Sequence, residues 1–118
     1  MDNFSPFSPI SPFSPISVAG VNADKRHAEY IRDLMQQVTS SDTGIDISVL
    51  IYPEPDNPYD KNAIKVEINN KSVGYVARKD QHQFDFSRYE KLKANIISWG
   101  MSRDNSVYLW VEPFFDFF

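Results

Sequence analysis

The chain reads as a mainly β domain with one or two helices, an α+β fold built on a small SH3-like or OB-like β-barrel of about six strands. Three observations carry this reading. Several short runs alternate apolar and polar residues with period two, and each is bounded by Asn, Asp, Pro, Ser or Gly. One stretch, 23–37, carries helical spacing instead. The length of 118 residues leaves room for one domain whose core is real but small.

The elements follow in chain order. Residues 4–17 are a tripeptide repeat, Phe4-Ser5-Pro6, Phe7-Ser8-Pro9, Ile10-Ser11-Pro12, Phe13-Ser14-Pro15 and Ile16-Ser17. Proline at every third position blocks helix and removes ladder donors, which favours an extended, polyproline-like path. The segment reads as a low-complexity tail; the alternative is an arm that docks on its own domain or on a partner. Residues 17–21 suit a short strand, with a bend at Gly20. Asn22 is placed to cap a helix over 23–37, whose apolar stripe is Ala28, Ile31, Leu34, Met35 and Val38. His27 lies near the edge of that stripe. Residues 39–44 (TSSDTG) have loop composition.

A strand is expected over 45–52, with Ile45, Ile47, Val49 and Ile51 on one face. Next comes a Pro-, Asp- and Asn-dense turn, 54–60, followed by strands over 63–68 and 72–77 joined at Asn69-Asn70. Residues 79–91 are mixed, with room for a short helix and for Phe84, Phe86, Tyr89 and Leu92 to point partly inward. Two last strands, 94–101 and 106–112, flank the turn Ser102-Arg103-Asp104-Asn105. Val107, Leu109 and Val111 share a face of the second, and Trp99 and Trp110 suit core or half-buried packing. The chain ends in Phe114, Phe115, Phe117 and Phe118 around Asp116. Such a tail packs back on the barrel, self-associates or engages a partner, and the sequence leaves these open.

Composition removes several functional classes. Without cysteine there is no disulfide framework and no thiolate zinc site. No apolar run approaches the roughly 18–20 residues of a membrane span, and the N-terminus lacks the basic-then-apolar order of a secretory signal. A protein acting in the cytoplasm, without membrane contact, is expected. There is no Walker loop, G-x-S-x-G elbow or H-E-x-x-H, and the two histidines have no partner pattern for acid–base work. The expectation is therefore a protein that is not an enzyme and needs no cofactor. Glu54, Asp56, Asn57 and Asp60 are oxygen donors, but they lack the order of an EF-hand loop, so no metal is expected.

The net charge of −4 is unevenly spread. Residues 1–60 carry three basic and nine acidic side chains, a net of −6; residues 61–93 carry eight and four, a net of +4; residues 94–118 carry one and three, a net of −2. A basic segment on an acidic protein suits a small phosphate contact better than a broad duplex footprint. The plain alternative is a solvated lysine-rich face.

The turn 54–60 is the part that suggests chemistry. Two prolines stiffen it, and Asp56, Asn57 and Asp60 can bond nearby main-chain groups. On such a turn Tyr59 can offer a flat face to a base, Asp60 can accept from a ligand hydroxyl, and Asn57 can both donate and accept. A carboxylate repels phosphate, so a nucleic-acid site containing Asp60 makes sense mainly at a strand terminus, where a hydroxyl replaces the phosphodiester. The alternative is a rigid connection and nothing more, with Tyr59 and Tyr75 packed on the barrel.

Residues 54–78 resemble the HIRAN domain, a small β-barrel module found at the N-terminus of fork-remodelling SWI/SNF-type translocases and as free-standing bacterial and phage proteins. The matching residues are Glu54-Pro55, Asn57-Pro58-Tyr59-Asp60, Asn62-Ala63-Ile64-Lys65-Val66 and Val73-Gly74-Tyr75-Val76, with Val18-Ala19-Gly20-Val21 matching the opening strand. The resemblance implies capture of single-stranded DNA 3′ ends, in a setting of DNA repair or replication. Tyr59 would stack on the terminal base, Asp60 would read the 3′-hydroxyl and Asn57 would support the pocket. Tyr75 would line it, and Arg78 or Lys79 would meet the phosphate backbone. DNA-binding members carry a tyrosine on the first strand ahead of the glycine, where this chain reads Ser17-Val18-Ala19. The resulting division is an arm at 1–16, a HIRAN-like barrel at 17–113 and an aromatic tail at 114–118. Partners implied are a single-stranded DNA 3′ end and a helicase, nuclease or other DNA-processing protein. The second reading is a protein-interaction or oligomerisation module that uses the repeat or the terminal phenylalanines.

Overall fold

Strands that alternate buried and exposed side chains can satisfy both edges by closing on antiparallel neighbours, and short turns join several of them directly. A computed structural model describes residues 12–40 and 47–115 of the chain and shows this closure. The strands are β1 (Ile16–Ala19), β2 (Val49–Pro53), β3 (Ile64–Ile68), β4 (Lys71–Val76), β5 (Leu92–Met101) and β6 (Val107–Phe114). They form a closed antiparallel barrel in the order β1-β4-β3-β2-β5-β6, with β6 returning to β1. The expected six-stranded barrel with accompanying helix is the observed fold. Helix α1 (Lys25–Ser40) packs against β4 and β6, and 3-10 helices span Val21–Ala23 and Arg78–Gln83.

The core is the inward row of each strand. Ile16 and Val18, Val49 and Ile51, Ile64, Val66 and Ile68, and Val107, Leu109 and Val111 are all buried, as strict alternation requires. Ile31, Leu34 and Met35 of α1 close over them, while Ala28 and Val38 of the same stripe are only half-buried. The Tyr30 hydroxyl reaches the Ile68 carbonyl at 3.4 Å, and the Lys71 ammonium lies 4.8 Å from the Tyr30 ring centroid, tying α1 to the β3–β4 hairpin. That hairpin turns through Asn69 and Asn70, both at positive φ (49° and 70°), the pair of values a two-residue primed turn needs.

Two irregularities aim side chains. In the β3–β4 ladder Glu67 faces Ser72 but Val66 faces Gly74, so β4 carries one extra residue there. In a regular strand Val73 and Tyr75 would share a face. The bulge resets the alternation, burying Val73 and Val76 and turning Tyr75 away from the core. Gly74 is required by proximity: a Cβ there would overlap the Ala19 carbonyl oxygen and stand 2.9 Å from a Val18 methyl. The second bulge, between Ile96 and Ser98, leaves Ile97 exposed on β5.

Several expectations are corrected. Asn22 is not the helix cap. Its amide donates to the Val107 carbonyl at 2.9 Å and its Oδ1 accepts from the Val107 N–H at 2.8 Å, so it extends the edge of β6 like a backbone residue. The cap is Asp24, whose Oδ1 accepts from the Arg26 N–H at 2.9 Å, and α1 starts at Lys25. The hydrogen bonds that Arg26 donates hold the Asp24 carboxyl down to about 2. The helix also runs on through Thr39 and Ser40, which composition assigned to a loop; the rest of that loop, and Ile45 and Asp46, lie outside the described residues. The helix expected within 79–91 is the 3-10 helix Arg78–Gln83, and Leu92 belongs to β5.

The last complete unit of the repeat, Phe13-Ser14-Pro15, docks on its own domain. Phe13 is buried, stacks on Phe84 with centroids 5.2 Å apart and an interplanar angle of 20°, and meets Phe115 at 5.2 Å. The Ser14 N–H donates to Gln83 Oε1 at 2.8 Å. Phe86, Tyr89 and Phe115 complete the aromatic cluster, so at least Phe115 of the terminal phenylalanines packs back on the barrel. The earlier repeat units and residues 116–118 lie outside the described residues.

Candidate nucleic-acid interface

The turn between β2 and β3 is stiff because its polar side chains satisfy its own main chain. The Glu54 N–H bonds the Ala63 carbonyl at 2.8 Å, the Asn57 N–H bonds the Glu54 carbonyl at 3.1 Å, and the Ala63 N–H bonds the Asp60 carbonyl at 3.0 Å. Asn57 Oδ1 accepts from both the Tyr59 N–H (2.8 Å) and the Asp60 N–H (3.0 Å), an Asx-type closure that only a short side-chain amide or carboxylate provides. Asp60 Oδ1 does the same one step on, accepting from the Asn62 N–H at 2.9 Å. Pro58 fixes the intervening backbone. With its neighbours so engaged, Tyr59 stands out into solvent, 89% exposed.

Beneath this turn lies a cleft of about 480 Å³ whose walls include Ala19, Gly20, Asn57, Tyr59, Asp60 and Tyr75. Glu54 is its hub. One carboxylate oxygen accepts from the Asn57 amide and the Tyr75 hydroxyl, each at 2.9 Å, and the other pairs with the Lys65 ammonium at 3.1 Å. The amide and phenol donors hold the Glu54 carboxyl below its ordinary range, with Lys65 adding to the effect. In return Glu54 raises Lys65, while burial first and Glu54 second raise the Tyr75 phenol. Asp60 is held below its ordinary range chiefly by the Gln81 amide, which donates to Oδ2 at 3.0 Å, then by the Asn62 N–H, with Arg78 contributing charge from 3.6 Å. Both carboxylates are therefore ionised at neutral pH. A carboxylate offers about four acceptor sites, so Asp60 retains capacity for a hydroxyl donor.

Of the residues singled out from the sequence, Asn57, Tyr59, Asp60, Tyr75 and Arg78 line this one cleft. Lys79 does not; its ammonium lies 5.9 Å from the Trp110 ring centroid. Asn57 has its oxygen and its amide engaged within the turn and to Glu54, so its part is positioning. Sequence reading missed Gln81, which lies in a segment without periodicity, and it named Glu54 as a motif residue and a possible metal donor without giving it a place in the pocket. The Glu54–Lys65 pair is a diagonal one: Lys65 faces Tyr52 and Glu54 lies two residues on from Tyr52, on the same face of the β2–β3 ladder. Among the described residues no group of three or more His, Asp or Glu side chains is placed to hold a metal ion, and no helix is long and apolar enough to cross a membrane.

No family model, curated protein or solved structure matches the chain significantly.

Proposed function

We propose that the chain is a HIRAN-type, non-catalytic module that captures the free 3′-hydroxyl end of single-stranded DNA. The observation that supports this most is the pairing of a fully presented aromatic, Tyr59, with a fixed carboxylate, Asp60, at the mouth of one cleft. In this reading the terminal base stacks on Tyr59, a contact worth roughly 1–3 kcal/mol and indifferent to base identity. Asp60 accepts from the 3′-hydroxyl. Its charge, with that of Glu54 behind it, repels a terminal phosphate, so discrimination comes from repulsion as well as attraction. Asn57, Glu54 and Gln81 position these two residues, Tyr75 lines the floor, and Arg78 meets the last phosphodiester as the strand leaves. The partner is then a DNA end, delivered to or from a DNA-processing enzyme in repair or replication.

The test is a fluorescence-anisotropy titration with an oligonucleotide ending in a 3′-hydroxyl and its 3′-phosphate counterpart. The hydroxyl form should bind tighter, and Asp60→Ala should remove most of the difference while Tyr59→Ala weakens both. Equal affinity of the wild-type protein for the two ends would defeat the proposal. The salt dependence should be shallow, reflecting contact with only a few phosphates.

A further inference from the structure

The docked unit of the repeat shows what the aromatic cluster accepts. Phe13 lies between Phe84 and Phe115, 5.2 Å from each ring centroid, and the Ser14 N–H donates to Gln83 Oε1 at 2.8 Å. An aromatic slot beside an acceptor for the main chain is a recurring way to hold a proline-rich segment. Against this unit lies a groove of about 590 Å³, whose lining includes Pro12, Phe13, Tyr89 and Phe115. The two charged side chains among its described lining residues, Asp85 and Arg88, are of opposite sign, so the groove suits an uncharged, apolar occupant. The chain holds two more copies of the docked triplet, Phe4-Ser5-Pro6 and Phe7-Ser8-Pro9, and neither carries a charge.

We infer that this groove is a self-association site, which receives the Phe4 and Phe7 units from the arm of a second copy of the chain, the two copies exchanging arms reciprocally. The inference is independent of the end-capture reading. Identity with the docked triplet makes these units competent ligands. Stiffness directs them outward. Proline fixes φ at every third position and restricts the serine before it, which favours an extended arm that rises about 3.1 Å per residue. Phe7 and Phe4 then stand about 19 and 28 Å along the chain from Phe13. Pro12 itself borders the groove, so a unit of the same chain must reverse direction within a few restricted residues to enter it. A unit from a neighbouring molecule needs no reversal. Each copy brings an arm and a groove, so a two-fold pair satisfies both arms at once. With one arm seated, the second contact is intramolecular, and two weak apolar contacts hold at concentrations where one does not.

Sedimentation velocity on the full chain, from about 1 to about 200 µM, reads the association directly. Wild type should pass from monomer to dimer across that range. Phe4→Ser combined with Phe7→Ser should raise the dimer dissociation constant at least about 10-fold. Both positions precede the described fold, so the double variant leaves the barrel intact. A cross-link identifies the contact, because the chain has no cysteine of its own. Ser8→Cys and Arg88→Cys, made in separate molecules, mixed and oxidised, should form a linked dimer faster than Ser8→Cys mixed with Lys25→Cys, an exposed position on α1. With both Ser8→Cys and Arg88→Cys on one chain the product should again be a linked dimer. A wild type that stays monomeric throughout, a dimer that the double phenylalanine variant leaves unchanged, or equal cross-linking of the two mixtures would overturn the inference. A linked monomer from the chain with both cysteines would show the arm folding back on its own groove and would overturn it too.

Discussion

Replacing Glu54 tests whether the site is held by its own hydrogen bonds or merely rests on the barrel. The Glu54 carboxylate accepts from Asn57 and Tyr75 and pairs with Lys65, and its side chain is 26% exposed against 24% for Lys65. Hydrogen bonds to a charged group contribute about 1.5–3 kcal/mol when well buried, and solvent at this depth reduces each to about 1 kcal/mol. The ion pair adds at most about 1 kcal/mol. Glu54→Ala should therefore destabilise the domain by about 2–3 kcal/mol, a fall in Tm of roughly 10–20 °C at this size. Glu54→Gln keeps an oxygen for Asn57 and Tyr75 but sets an amide against the Lys65 ammonium, and should cost about half as much. Urea melts and thermal denaturation followed by circular dichroism measure both, and an unchanged dependence on denaturant would show that only stability has moved. If both variants melt within about 0.5 kcal/mol of wild type, the network does not hold the turn and the positioning role given to Glu54 is wrong.

Three further outcomes follow from the same geometry. Gly74→Ala drives a methyl group into the Ala19 carbonyl at the seam where β1 meets β4, so Tm should fall by an amount equivalent to about 1–3 kcal/mol or more; an unchanged melt would mean that the seam has slack. Phe13→Ala empties the slot between Phe84 and Phe115 and should cost about 3 kcal/mol in a urea melt, whereas an unaffected melt would return this unit of the repeat to a tail. Acid should destabilise the domain. The Glu54 and Asp60 carboxyls sit below their unfolded values, so their contribution is complete above about pH 5 and is lost as pH falls through the folded values; Tm should decline across that range, less steeply in Glu54→Gln.

The barrel was legible because period-two burial leaves a direct trace. Val107, Leu109 and Val111 are buried while Tyr108, Trp110 and Glu112 between them are not, and the strand expected over 106–112 forms as Val107–Phe114. The Asn69-Asn70 turn was legible for a similar reason, since few residues accept left-handed φ at two successive positions. What sequence could not supply were choices made by tertiary contact. Asn22 and Asp24 are both competent helix caps two residues apart. Only the approach of the β6 edge, which takes both polar functions of Asn22, leaves the cap to Asp24. Phe13 sits in the same low-complexity pattern as Phe4 and Phe7. What distinguishes it is its place three positions before the start of β1, which brings it to Phe84 without a loop to close.

The candidate site divides along the same line. Its turn is built from contacts two or three residues apart, Asn57 to Tyr59 and Asp60, and Asp60 to Asn62, and those follow from local sequence alone. Its walls come from afar: Tyr75 reaches the cleft because a bulge shifts β4 by one residue, and Gln81 reaches Asp60 from a 3-10 helix twenty-one positions on. The end of the first strand and the bend after it contribute Ala19 and Gly20, small residues that offer no aromatic face. Any base held in the cleft therefore has Tyr59 as its one exposed aromatic support, with Tyr75 below it tethered through its hydroxyl to Glu54. One stacking face is worth roughly 1–3 kcal/mol, well short of the approximately 8 kcal/mol of a micromolar complex. If the protein holds a DNA end at micromolar concentration, the remainder must come from polar contacts to the end, for which Asp60 and Arg78 are the charged groups at the cleft mouth.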